Sequence, residues 1–277
     1  PYTVVLIMSF RTIEIMIPGI LTSDGAGVNL RRIIGSPQLN MLDPFLLLDE
    51  FGSNNPEDYI AGFPPHPHRG FETITYMLNG KFRHQDSTGN EGYLTDGSVQ
   101  WMTAGRGVIH SEMPEQTEGL VRGFQLWLNL PKDKKMIPPA YKDIPAENIP
   151  RVDFPGGTAK VIAGKFMGAT GPGQPHTGMF YYDIELQSEK ELSIPVNDGW
   201  NAFLYVYEGI VLNNQTVGKD QLAVLGKTGD CRIKAGGLGA QFIVVAGEPL
   251  NEPVARGGPF VMNTREEIMQ AFNDYKN

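Results

Sequence analysis

FPPHPHRGFETITYMLNG, running from Phe63 to Gly80, holds most of what decides the fold. Its second half, Phe71 to Leu78, is dense in aromatic and β-branched residues and reads as a strand. Asn79-Gly80 follows at once and signals a two-residue hairpin turn. Its first half carries His66-Pro67-His68, two imidazoles two residues apart on extended chain. Working outward, Ser98–Met102, Val121–Leu130, Met179–Leu186, Ala202–Tyr207 and Gln241–Ala246 have the same strand texture. Gly and Pro supply 33 and 21 of the 277 residues, and charged residues only 19%. Average usage is about 7% Gly, 5% Pro and 25% charged. That composition disfavours a helical bundle and suits short strands joined by turns. Glycines without a period and an apolar fraction of 41% exclude collagen and disorder. The expected class is all-β. The one helix expected is at the end, where Thr264-Arg-Glu-Glu267 forms a capping box ahead of Ile268, Met269 and Phe272, giving residues 264–275.

The formal net charge is −8 and the sequence pI about 5.2. No fold-wide basic surface exists for a nucleic-acid backbone, so no direct nucleic-acid partner is expected. Cys231 is the only cysteine, which excludes an intrachain disulfide and fits a reducing compartment. It is read as a small, semi-buried side chain. The apolar run Tyr2–Met8 is cut by Ser9 and Arg11, too short for a bilayer and lacking a signal peptide's flanks. A cytoplasmic monomer without a membrane partner is expected, nuclear also if the source is eukaryotic. Phosphate-loop and Gly-x-Ser-x-Gly motifs are absent.

Pro131, Pro138, Pro139, Pro145, Pro150 and Pro155 crowd one stretch and mark a boundary. The expected division is residues 1–135, a Pro-rich linker at 136–155, and residues 156–277 ending in the helix. Tyr76 and Tyr205, Gly80 and Gly209, and Gly97 and Gly226 recur at a constant offset of 129. Two related β-units are the economical reading.

Five histidines are present: His66, His68, His84, His110 and His176. On a strand, residues i and i+2 face the same way, roughly 6.5–7 Å apart. His66 with His68, and His110 with Glu112, can each aim two donors at one point from one strand. On facing walls of a barrel they supply three imidazoles and a carboxylate, leaving two open places on an octahedral metal. Iron fits, and so do manganese, nickel, cobalt, copper or zinc. Unpaired in an apolar barrel, these groups would each cost several kcal/mol of desolvation, which a cation largely removes. Glu72 lies an even step from His68 and competes with Glu112 as the carboxylate; otherwise it stands behind the ligands or is an outward surface charge. The offset of 129 maps His66, His68, His110 and Glu112 onto Pro195, Asn197, Gly239 and Gln241, so one metal site is expected, in the first half only. His84 and His176 read as solvated loop residues.

At these residues the sequence resembles the pirin family of the cupin superfamily. The matching segments are PFLLLDEFG (Pro44–Gly52), FPPHPHRGFET (Phe63–Thr73), VQWMTAGRGVIHSEMP (Val99–Pro114) and the stretch Phe260–Phe272. The resemblance implies two tandem cupin-type β-barrels, a bicupin, with one divalent metal, most often Fe(II), in the N-terminal barrel. It implies His66, His68, His110 and Glu112 as the metal ligands, favouring Glu112 over Glu72. Two activities follow from it: a quercetinase, opening a flavonol ring with O2 and releasing carbon monoxide, or a metal-dependent transcription coregulator acting through a protein partner. The enzyme is the expectation taken forward, with a flavonol-like aromatic and O2 as substrates and Glu112 as the base for the flavonol hydroxyl. Phe51, Phe63, Trp101, Met102, Met113 and Phe124 are the candidate pocket.

Overall fold

The computed structural model describes residues 9–277, so the apolar run Tyr2–Met8 lies outside the described residues. Strands dominate, and the chain forms two compact units, each a cupin domain. One comprises residues 19–149, 172–177 and 250–277; the other comprises 9–18, 150–171 and 178–249. Among the described residues no helix is long and apolar enough to cross a membrane.

The first unit, which holds all five histidines, is two sheets face to face. The seven-stranded sheet runs Ala140–Ile144, Val99–Thr103, Phe71–Asn79, Val121–Asn129, Phe45–Ser53, Val28–Ile34 and Ile20–Asp24. The four-stranded sheet runs Phe63–His68, Val108–Pro114, Phe82–Asp86 and Glu91–Leu94. Leu30, Phe51, Met77 and Val121 from the larger sheet pack with Phe63, Phe82 and Leu94 from the smaller. That shared apolar cluster closes the two faces on each other, as burying one face of each sheet requires.

The second unit is one ten-stranded sheet wrapped round a single core. Its spine is the 18-residue strand Asp230–Gly247. One end of it pairs with Glu191–Ile194 and the other with Met179–Leu186 and Asn201–Leu212. Gly239, at φ 77°, lies between those stretches, where the partner register shifts. Glycine takes this left-handed backbone without a steric penalty, so the strand can turn the sheet's corner. Phe203, Leu204, Tyr205 and Val206 are all fully buried in the adjacent strand.

The bounds differ from those read in the sequence. Ile13–Pro18 pairs with Gln221–Leu225, so the N-terminal strand completes the second unit's sheet. Arg11 fixes it there, its guanidinium donating to the carbonyls of Gly229, Trp200, Gly226 and Asn197. The C-terminal helix is Arg265–Lys276, with Thr264 Oγ1 accepting from Glu267 N as the capping box requires, but it belongs to the first unit. There Ile268 and Ala271 bury against Phe260, Met262 and Ala255. The Pro-rich stretch is no free linker: Ala140–Ile144 is an edge strand of the first unit and Arg151–Phe154 an edge strand of the second. Asn79-Gly80 does not close a hairpin either. Phe71–Asn79 pairs within the larger sheet, while Phe82–Asp86 starts in the smaller one. The tight turn changes sheets.

Candidate metal centre

His66 and His68 lie on strand Phe63–His68, and His110 and Glu112 on its antiparallel neighbour Val108–Pro114. His110 is in register with His66. The ring centroids of His66, His68 and His110 are 4.3 to 4.9 Å apart, and donor atoms from the three lie within 4.8 Å of one another. The period-2 spacing thus brings three imidazoles to one point. Glu112 joins differently. The register shifts between His110 and Glu112, and its carboxylate groups with His110 and His84, again within 4.8 Å. Two trios therefore share His110, and Glu112 also reaches the cavity wall beside His66 and His68.

The electrostatics fit a bound cation. Among the described residues, His68 Nδ1, both nitrogens of His110 and Glu112 Oε1 are buried without a hydrogen-bond partner. Each such orphan costs about 1–3 kcal/mol unless something satisfies it. Burial pushes the His68 pKa down to about 3, with His66 adding like-charge repulsion. Burial, then His68, His66 and His84, lower His110. Burial alone raises the Glu112 carboxyl to about 7. Neutral imidazoles are what a metal needs, and a divalent ion offsets the desolvation of the carboxylate. His66 Nδ1–H donates to the Pro64 carbonyl at 2.7 Å, which leaves Nε2 as the lone-pair nitrogen. A single divalent metal fits this donor set.

His84 is not a solvated loop residue. It is fully buried on strand Phe82–Asp86, opposite Glu112, and neither ring nitrogen has a partner among the described residues. Its ring stacks on Tyr141 at 4.3 Å and 17°, and burial lowers its pKa to about 4. The signal was in the sequence: Phe82 and His84 share one face of a strand, and Phe82 is core. His176 is also engaged, its Nδ1–H donating to Glu72 at 2.8 Å, and that carboxylate raises its pKa.

Glu72 is wholly buried at the start of strand Phe71–Asn79 and takes no place in either trio. Its oxygens accept from Thr103 Oγ1 at 2.7 Å, Trp101 Nε1 at 3.3 Å and His176. Protein donors already satisfy it, so it anchors segment 172–177 and stands outside both donor clusters.

A cavity of about 680 Å³ opens beside the histidines, within the range of small-molecule sites. Phe51 and Phe63 line it as expected, but Trp101, Met102, Met113 and Phe124 do not. Met77, Phe82 and Trp127 take their places, joined by Thr75, Gln125, Arg32 and Arg256. Trp127 also packs edge-on to His68, 5.5 Å between centroids.

The loop after His68 is clamped from beneath. Gly70 has φ 93°, and a Cβ there would run into the Val261 carbonyl oxygen. Only glycine fits. Buried Lys135 donates from Nζ to the carbonyls of Gly70 and Val261 and to Asn129 Oδ1, and burial lowers its pKa to about 8. Arg69 pairs with Asp274 of the helix at 2.8 Å. The C-terminal segment thereby holds the histidine loop in place.

Comparison with known proteins agrees with this architecture. The profile of Pirin matches residues 27–128, and that of the Pirin C-terminal cupin domain matches residues 181–277. A Pseudomonas aeruginosa protein provisionally named quercetin 2,3-dioxygenase is 49% identical over 267 residues, covering 92% of this chain and 93% of its own. Human pirin is 42% identical over 262 residues, covering 92% and 89%. The crystal structure of quercetin 2,3-dioxygenase from Acinetobacter baumannii superposes with a TM-score of 0.89 at 34% identity, covering 97% of both chains. With both domains matched and relatives of this similarity along nearly the whole length, the chain belongs to the pirin family.

Proposed function

We propose that the protein is a metal-dependent dioxygenase that cleaves flavonols such as quercetin with O2 and releases carbon monoxide. The observation that carries this reading is a set of buried imidazoles with unpartnered nitrogens beside an aromatic-lined cavity. His66, His68 and His110 would hold the ion, with Glu112 as the fourth donor; Fe(II) is the first choice. When bound, the metal supplies Lewis acidity to the substrate hydroxyl and a redox route to O2.

The chain's own residues do the rest. Phe51, Phe63, Phe82 and Trp127 orient a flat ring system and exclude water from it. The Glu112 carboxylate, which lines the cavity, would take the proton from the substrate hydroxyl. Thr75 and Gln125, hydrogen-bonded to each other at 2.5 Å on the cavity wall, offer polar contacts to further hydroxyls. A regulatory role needs no such cavity, which favours the enzyme. The names of the Pseudomonas aeruginosa and Acinetobacter baumannii relatives support the same reaction.

The test is quercetin consumption and carbon monoxide release by Fe(II)-loaded protein in air. Turnover lost both in His68→Ala and without oxygen supports the reaction. A metal-loaded protein inert towards every flavonol refutes it and promotes the coregulator.

A further inference from the structure

Two arginines line the cavity, and only one of them has a carboxylate. The Nε/Nη2 edge of Arg32 is engaged. Its Nε and Nη2 donate to the two oxygens of Asp49 at 2.9 Å each, and Nη2 also reaches Asp24 at 2.9 Å. Arg256 uses a single nitrogen: Nη1 donates to the carbonyls of Leu46 at 3.1 Å and Asn40 at 3.4 Å. Those two bonds account for both Nη1 protons. A guanidinium carries five N–H donors, so Nε–H and the two protons on Nη2 lack an acceptor among the described residues. This is the edge that Arg32 presents to Asp49, the fork that grips a carboxylate in two parallel bonds. Arg256 is partly buried, and burial and the positive charge of Arg32 both act against its own charge. An anion there relieves both.

We propose that Arg256 is a substrate-anchoring residue and that the preferred ligands are flat aromatics bearing a carboxylate, gripped by its Nε/Nη2 edge. This rests on the reading that the cavity takes an aromatic substrate. Lysine is not equivalent, because an ammonium offers a point charge without the planar fork. Asp24 and Asp49 do not compete for Arg256, since both are held by Arg32.

The test is calorimetric titration of 2-naphthoate and its neutral counterpart 2-naphthamide into metal-loaded and chelator-treated protein. The expected result is a preference for naphthoate of about tenfold or more in both forms, the scale of a charged, two-pronged hydrogen bond. In Arg256→Gln the preference disappears while naphthamide binds within about twofold of the parent; Arg256→Lys restores part of it. Equal affinities in the parent protein, no naphthoate binding, or a preference that survives Arg256→Gln overturns the proposal. So does a preference confined to the metal-loaded form, which assigns the carboxylate to the metal. The parent comparison needs no variant to fold. Quercetin turnover is a separate readout, so loss of the dioxygenase reading and loss of the anion site are distinguishable.

Discussion

His110 lies directly across the strand pair from His66, their ring centroids 4.3 Å apart. Cross-strand neighbours on one face meet at this range, so two short motifs far apart in the chain become one donor set. Three imidazoles this close, His68 and His110 buried with ring nitrogens that have no partner among the described residues, repel protons and attract a cation.

Metal removal is expected to destabilise the protein strongly. An ion bound at a thousandfold over its Kd contributes about 4 kcal/mol to the native state. Calorimetric melting before and after chelation checks this. An unchanged Tm in protein shown to have lost its metal contradicts it.

The metal-free protein is expected to weaken as pH falls from about 6.5 towards 4. The lowered pKa values of His68, His84 and His110 mean that the unfolded chain binds protons there which the folded chain refuses. Glu112, raised to about 7, acts oppositely, its folded form holding a proton that the unfolded form releases above its ordinary pKa of 4.5. Among these four groups three protons against one leave a net excess of two in the unfolded state, a slope of about 3 kcal/mol per pH unit, and His66, which burial also lowers, adds to it. Urea unfolding at stepped pH reads this slope, and a stability flat across the window would be inconsistent with it.

Glu72 and Glu112 are expected to part company on substitution. Glu72→Gln should retain the metal and lose stability by about 1–3 kcal/mol, as the bonds from Thr103 and His176 weaken. Glu112→Gln should bind metal at least about tenfold more weakly and, being neutral and isosteric with the protonated carboxyl that burial favours, should not destabilise the metal-free form. Metal titration of both variants, with melts, decides between them.

His84→Phe is expected to keep one metal per chain. It should stabilise the metal-free protein by about 1 kcal/mol or more, because two unpartnered buried nitrogens disappear while the stack on Tyr141 survives. Loss of the metal in this variant would make His84 a ligand.

Gly70→Ala is expected to be severely destabilising, by about 3 kcal/mol or more, and to loosen the metal, since the loop after His68 must move off Val261. Melting and metal titration of the variant test both effects.

The clustering of His66, His68 and His110 was legible because each motif is local: His-x-His and His-x-Glu need only an extended chain to point the right way. The strands were legible for the same reason, with Met179–Leu186 matching residue for residue. Local signals stop short of pairing. Asn79-Gly80 announces a turn but not which sheet receives the next strand, and nothing near Ile13 reveals a partner at Leu225. His84 was readable through Phe82 on its face, yet a lone histidine draws no attention without its neighbour Glu112 across the sheet. Arg256 reaches the cavity from the C-terminal segment, far in sequence from the histidines, and only tertiary structure places it there. The pocket residues failed in the same way: Trp101 is as apolar as Trp127, but its indole N–H is committed to Glu72.

The central claim is the ligand set, and X-ray absorption at the metal edge of the loaded protein tests it most directly. The account predicts three imidazole shells and one carboxylate oxygen around a single ion, with one imidazole lost in His110→Ala. Fewer than three imidazoles, or a shell unaltered in His110→Ala, would contradict it.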